Sequence, residues 1–264
     1  MSRKARLASE TCVYHVMLRG INKQTIFESD NDFWKFIGLL NRLCHPCDND
    51  GNPEQAHCLV FAYCLMPNHV HLLIKDLDNS LATSIKSLTI SYAQHYNKKY
   101  NRVGHLFQDR FRSEPVNEWN YFVTLLRYIH QNPVAAGIVS AVKEYTWSSW
   151  REYIYPGKCV LPVCATQSVL SKLPIKELTN LVDTPLPKTQ RILDFDNDTA
   201  FRITDDKVCE FIISICGEDY IRKIDGYTDI MKTSLIREVR QYGASLRQIS
   251  RITGLSDGFV RKHQ

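Results

Sequence analysis

Two periodicities organise the first half of the chain. Thr11 to Leu18 (TCVYHVML) has the pattern of a strand and ends in a turn at Arg19-Gly20-Ile21-Asn22. Asp30 and Asn31 can cap a helix running to about Leu43, with Phe33, Trp34, Phe36, Ile37, Leu40 and Leu43 on its apolar face. The polar stretch from Cys44 to Glu54 is loop. Ala56 to Met66 is β-type, Pro67-Asn68 is a turn and His69 to Lys75 is a second strand, which together predict a hairpin. Ser80 caps a long helix reaching about Tyr100, with Leu81, Ile85, Leu88, Tyr92 and Tyr96 at helical spacing. Arg110 to Val116 reads as a fourth strand. Glu118 to Gln131 follows as a helix expected to stop before Pro133.

The order β-α-β-β-α-β plus a further helix matches the split βαβ pattern. The predicted fold is therefore α+β, a ferredoxin-like (RRM-like) antiparallel sheet with helices on one face, followed by an all-α C-terminal region. On this pattern residues 1–150 form the first domain, 151–200 an extension and linker, and 201–264 a helical, helix-turn-helix-like region. Residues 141–175 hold Tyr, Trp, Pro and Gly without sustained periodicity and read as a packed extension. Pro185–Thr199 is the expected linker, and no internal repeat or low-complexity segment is present.

Composition narrows the class without naming a function. The 264 residues are 44% hydrophobic and 23% charged, which excludes a largely disordered chain, a fibrous repeat and a disulfide-dense miniprotein. No stretch approaches 18 apolar residues, so no membrane span is expected. Met1 to Glu10 is basic but lacks the apolar run of a secretory signal, so the nine cysteines are expected to stay reduced, in the cytoplasm. The net charge of +5 is unevenly placed. Residues 231–264 carry seven cations and two anions, and a second basic cluster joins Lys98, Lys99, Arg102, Arg110 and Arg112. Between them, residues 176–210 carry five cations and eight anions. Two basic zones separated by an acidic one suit two nucleic-acid-facing surfaces, although a solvated charged face would look the same.

The chemistry concentrates in Pro67-Asn68-His69-Val70-His71-Leu72. Residues i and i+2 of a strand share a face, so His69 and His71 project together as two legs of a metal site. Taken alone, such a pair is also an ordinary occurrence in a chain with nine histidines. The helix before Pro133 places Tyr128 and Asn132 one turn apart on one face. A tyrosine hydroxyl can act as a covalent nucleophile, and an Asn carbonyl oxygen can serve as a third ligand to a hard cation. Equally, Tyr128 could be a core tyrosine and Asn132 a helix C-cap.

These residues carry a resemblance. His69-Val70-His71 matches the His-hydrophobic-His motif of the HUH single-strand endonucleases. Met66 to Leu73, then Gly104-His105-Leu106-Phe107-Gln108-Asp109-Arg110-Phe111, then Tyr128-Ile129-His130-Gln131-Asn132-Pro133-Val134, in that order, resemble the single-tyrosine transposase domain of insertion sequences. The REP-associated tyrosine transposases are the subgroup they are most similar to, over roughly Cys12 to Trp150. The resemblance implies that His69, His71 and Asn132 bind Mg²⁺ or Mn²⁺ at the scissile phosphate of single-stranded, hairpin-associated DNA. It implies that Tyr128 attacks to give a 5′-phosphotyrosine link and a free 3′-hydroxyl, which allows strand transfer. Some relatives place Gln where this chain has Asn132, which has a shorter reach. Tyr121, seven residues before Tyr128, is the backup nucleophile.

The first basic cluster, interleaved with Tyr96, Tyr100, His105, Phe107 and Phe111, suits stacked bases and paired phosphates, though Phe107 and Phe111 could be core anchors. Further on, Ser245 to Arg261 has helix-turn-helix layout. Ser245 and Ser256 cap the two helices, Gly254 supplies the turn, and Leu246, Ile249, Ile252, Leu255, Phe259 and Val260 form the inside. It resembles the C-terminal helix-turn-helix of longer transposases in this group, with Arg247, Arg251, Arg261 and Lys262 as candidate contacts to duplex DNA; a basic helical pair packing on protein is the alternative. Cys44-His45-Pro46-Cys47 lacks the second well-spaced cysteine pair of a zinc site, and Cys12, Cys64, Cys209 and Cys216 read as buried small hydrophobes. The competing functions are a replication-initiator or relaxase nickase, a non-catalytic single-strand-binding module, and a regulator acting through the C-terminal helices. No P-loop motif is present, which weighs against a full initiator. The sequence leaves open a monomer or a homodimer.

Overall fold

The computed structural model describes residues 7–186, Ile192 and residues 203–263. Most of the expected linker, 185–199, lies outside the described residues. The chain divides into two units: Met1–Ile26 with Asn31–Thr199, and Phe27–Asp30 with Ala200–Gln264.

In the first unit, strands β1 (Val13–Arg19), β2 (Cys58–Met66), β3 (His69–Asp76) and β4 (Arg112–Pro115) form one sheet in the order β2-β3-β1-β4. Every neighbouring pair is antiparallel. Helices α1 (Asp30–Cys44), α2 (Leu81–Lys99) and α3 (Trp119–Ala135) alternate with the strands as the periodicity predicts. The Pro67-Asn68 turn joins β2 to β3 and fixes their register, with Met66 opposite His69 and Cys64 opposite His71. Across β1 the register continues, with Met17 opposite His71 and Arg19 opposite His69. Both faces of the sheet are buried. Val16, Leu18, Val70, Leu72 and Ile74 lie on one, and Ala62, Cys64, Met17, His71 and Leu73 on the other. A sheet covered on both sides needs near-continuous apolar strands, which explains why β2 and β3 alternate so weakly.

Three features adjust the pattern. Strand β4 begins at Arg112, two residues later than expected, so Arg110 is outside the sheet. Helix α3 does not stop before Pro133. Proline lacks a donor but keeps its acceptor, and the Pro133 carbonyl accepts from Ile138 N at 2.9 Å while the Asn132 carbonyl accepts from Ala136 N at 2.9 Å. Asn132 is therefore a buried residue inside the helix, and Ala136 is its C-cap. Finally, the extension closes an edge. β2 is a terminal strand, and Leu65 N donates to Trp147 O at 2.9 Å, Ala165 N to Val60 O at 2.8 Å, while Tyr63 O accepts from Ser149 N at 3.0 Å. An open hydrophobic edge strand would pair with other chains, and this segment prevents that. Helices α4 (Trp150–Ile154), α5 (Thr166–Leu170) and α6 (Ile175–Asp183) complete the unit.

The second unit holds α7 (Asp205–Cys216), α8 (Tyr220–Asp225), α9 (Asp229–Gln241), α10 (Leu246–Thr253) and α11 (Asp257–Lys262). Its own core includes Val208, Ile212, Ile224, Leu235, Ile236, Val239, Ile249 and Val260. Ser245 caps α10 in a reciprocal capping box with Gln248, and Gly254 ends it at φ 74°, a left-handed conformation that favours glycine. Ser256 caps α11, which has only six residues. All nine cysteines are free thiols; Cys64 and Cys216 are buried, whereas Cys12 and Cys209 are only half-buried, unlike their expected core placement.

Candidate active site

The β3 register and the α3 helix bring the motif residues to one face. His69 and His71 have ring centroids 4.9 Å apart, and the ring of Tyr128 meets that of His71 edge-on at 5.4 Å. Asn132 follows Tyr128 by one helical turn, and its Nδ2 lies 3.3 Å from His71 Nε2. Tyr128 is half-buried, with its hydroxyl oxygen shielded from solvent. His71 is fully buried, and burial first, then the neighbouring charges of His69 and His15, hold its pKa well below the ordinary histidine value. It is neutral at physiological pH, the form that can ligate a metal.

Two residues of this cluster, His15 and Asn68, were assigned no role from the sequence. His15, at the centre of β1, stacks on His71 with centroids 5.3 Å apart and places Nε2 3.1 Å from His71 Nδ1. Burial lowers the His15 pKa to about 3. Asn68, in the hairpin turn, engages His69 Nδ1 through Oδ1 at 2.6 Å, which leaves Nε2 as the ligating nitrogen of His69. The turn is itself anchored by Gly20 N donating to Asn68 O at 2.9 Å. Gly20 is fixed there by space, since a Cβ would collide with Gln24 O and Ile26 Cγ2.

The donor set can hold a divalent cation, the Asn132 amide oxygen being the hard donor beside two imidazoles. Among the described residues no group of three or more His, Cys, Asp or Glu side chains could hold a metal. The arrangement here is two imidazoles and one amide. Adjacent ligands of a six-coordinate cation at about 2.1 Å lie about 3 Å apart, close to the 3.3 Å between His71 Nε2 and the Asn132 amide once the amide turns its oxygen inward. Cys44 Sγ, at the end of α1, faces Cys58 Sγ at the start of β2 at 4.0 Å, while Cys47 is exposed.

Tyr121 has a different partner. Its hydroxyl donates to Glu114 Oε2 at 2.7 Å, and burial together with Glu114 pushes its pKa up. Glu114 pairs with His15 across β1 and β4, two register positions from the Met17–Arg112 pair and on the same face.

Residues 8–132 match the family model described as "Transposase IS200 like". Over an alignment of 111 residues the chain is 31% identical to a Haemophilus influenzae protein provisionally named a REP-associated tyrosine transposase, an overlap covering 36% of this chain. The chain spans 62% of that relative's length. Among solved structures, the chain is similar to a REP-associated tyrosine transposase bound to a REP hairpin, with TM-score 0.49, 15% identity, 74% of this chain covered and 100% of that one.

In the first unit the expected DNA-facing cations divide. Arg110 and Arg112 are exposed, and Arg112 shares the histidine face through its pairing with Met17. Lys98 is exposed at the end of α2. Lys99, by contrast, pairs with the buried Asp32 at 2.8 Å, and Arg102 bonds Gln24 Oε1 at 3.1 Å and His105 O at 3.0 Å. Arg19, which the sequence did not single out, lies opposite His69 on the same face. A groove of about 750 Å³ runs between α2 and residues 104–111, lined by Lys86, Thr89, Ile90, His105, Arg110 and Phe111. Gln108 N donates to Arg19 O at 2.9 Å, which ties that lining segment to the histidine end of β1. In the second unit Arg247, Arg261 and Lys262 are exposed. Arg251 is held by Asp205 at 2.7 Å and Glu28 at 3.1 Å. No described helix is long and apolar enough to cross a membrane.

Proposed function

We propose that this chain is a divalent-metal-dependent endonuclease and strand transferase for single-stranded DNA, acting at hairpin-associated sites in the cytoplasm. The observation that carries the reading is the convergence of Tyr128, His71, His69 and Asn132 on one face of the segment that matches the IS200-like transposase model. His69, His71 and Asn132 hold Mg²⁺ or Mn²⁺. The bound cation supplies charge stabilisation at the scissile phosphate.

The chain's own residues supply the rest. Tyr128 Oη attacks phosphorus as its proton is lost, the bond to the 3′-oxygen breaks, and that oxygen leaves as a 3′-hydroxyl after protonation. The phosphotyrosine retains the bond energy, so a new 3′-hydroxyl can reverse the step. Arg112 and Arg19, on the histidine face, draw the phosphate backbone toward the site, while Arg110 and Lys98 hold flanking phosphates. Phe111 and His105 offer rings for unpaired bases along the groove. Arg247, Arg261 and Lys262 are the phosphate contacts of α10 and α11 to duplex DNA.

The deciding experiment is a denaturing gel for a covalent protein–DNA adduct. Labelled single-stranded hairpin oligonucleotides are incubated with full-length protein in Mn²⁺ or EDTA. We expect an adduct that needs metal and vanishes in Tyr128→Phe but persists in Tyr121→Phe. An adduct surviving in Tyr128→Phe would transfer the nucleophile elsewhere, and tight binding without any adduct would mean a non-catalytic module.

A further inference from the structure

The partners of His71 determine where its proton sits. A metal ligand keeps its lone pair, so on the metal-dependent reading Nε2 of His71, with the Asn132 amide 3.3 Å away, is unprotonated. A neutral imidazole carries one proton, which must then be on Nδ1. That Nδ1–H points at His15 Nε2, 3.1 Å away, so His15 accepts and carries its own proton on Nδ1, which is buried without a hydrogen-bond partner among the described residues. Both histidines are wholly buried. We propose that His15 is a positioning residue, which fixes the tautomer and ring plane of His71 so that Nε2 presents its lone pair to the divalent cation. This inference rests on the metal-dependent reading of the site.

Without an acceptor at position 15, His71 has another tautomer open to it. A buried Nδ1–H left unpaired is costly. The ring escapes that cost by moving its proton to Nε2 and donating to Asn132 Oδ1, after the amide turns over. In that arrangement Nε2 has no lone pair, and one leg of the metal site is lost. Because Met17, not His15, is the direct cross-strand partner of His71, the contact is a diagonal one. Residues diagonal across a strand pair are about 7–8 Å apart, and somewhat less at Cβ, within reach of two rings. The stacked geometry, with an interplanar angle of 19°, also limits rotation of His71.

The test uses full-length protein without DNA. His15→Phe keeps the ring and its packing but removes the acceptor, and His15→Gln restores an acceptor. Free Mn²⁺ is followed by electron paramagnetic resonance, and the ¹⁵N shifts of the His71 ring report its tautomer. Thermal melting checks that each variant folds. We expect His15→Phe to weaken Mn²⁺ binding about 10- to 100-fold, to shift His71 toward the Nε2–H form, and His15→Gln to recover most of both. Mn²⁺ binding abolished by His69→Ala but untouched by His15→Phe, with His71 still protonated on Nδ1, would overturn this inference alone. Absence of Mn²⁺ binding by the wild type would overturn the metal reading, and this inference with it.

Discussion

At the scale of single residues, environment separates two tyrosines that look alike in sequence. Tyr121 donates to Glu114, and that carboxylate opposes formation of a phenolate. Tyr128 instead lies against His71 and one turn from Asn132. The buried histidines make a second prediction. His15 and His130 both have pKa values lowered to about 3 by burial. A folded-state value below the unfolded one means stability that is present above the ordinary pKa near 6.5 and is lost as pH falls toward 3. Each contributes about 2 kcal/mol of destabilisation by pH 5. The urea midpoint should therefore fall between pH 7 and pH 5. His130→Gln, which removes the group but keeps a partner for Ser149, should reduce that fall by about one histidine's share. An unchanged pH slope in His130→Gln would show that His130 titrates normally in the fold.

Secondary-structure elements carry the site because their periods differ. His69 and His71 share a face at spacing two, while Tyr128 and Asn132 share one at spacing four, and both relations are legible without a structure. Helix α3 had to continue through Pro133 to keep Asn132 inside it, and the sequence rule that proline ends a helix hid this. In the second unit, α10 offers a direct test of local design. Gln248 closes the capping box with Ser245 and, fully buried, also donates to Ile203 O at 2.6 Å and Asp205 Oδ1 at 3.1 Å. Ser245→Ala should cost about 1 kcal/mol. Gln248→Ala should cost about 2–3 kcal/mol, since it leaves buried groups unpaired. Chemical denaturation followed through α-helical circular dichroism would rank the two, and equal losses would mean that Gln248 acts only as a cap.

Across the whole molecule, charge is spent in two ways, and composition could not separate them. Arg251 and Lys99 are both cationic candidates in the sequence, yet each is tied to a carboxylate, Arg251 to Asp205 and Lys99 to Asp32. Arg110 and Arg112 are exposed beside the groove and the histidine face. Salt titrations of single-strand binding should reflect this difference. Arg110→Ala and Arg112→Ala should each flatten the slope of log affinity against log salt by about 0.7. Arg251→Ala should lower the stability of the helical unit and leave that slope unchanged. A loss of slope in Arg251→Ala would place it on DNA after all.

Local pattern alone determined the four strands, the three principal helices, the caps of α10 and α11, and the pairing of His69 with His71 and Tyr128 with Asn132. These follow from side-chain periods and capping chemistry, which act over a few residues. Tertiary structure decided that His15 meets His71, that Asn68 holds His69, that residues 147–165 seal the edge of β2, and which cations are already paired. Each of those depends on the register of strands or on contacts between distant segments. A one-residue slip of β1 against β3 would turn His15 to the opposite face, so no reading of β1 by itself could have placed it in the site.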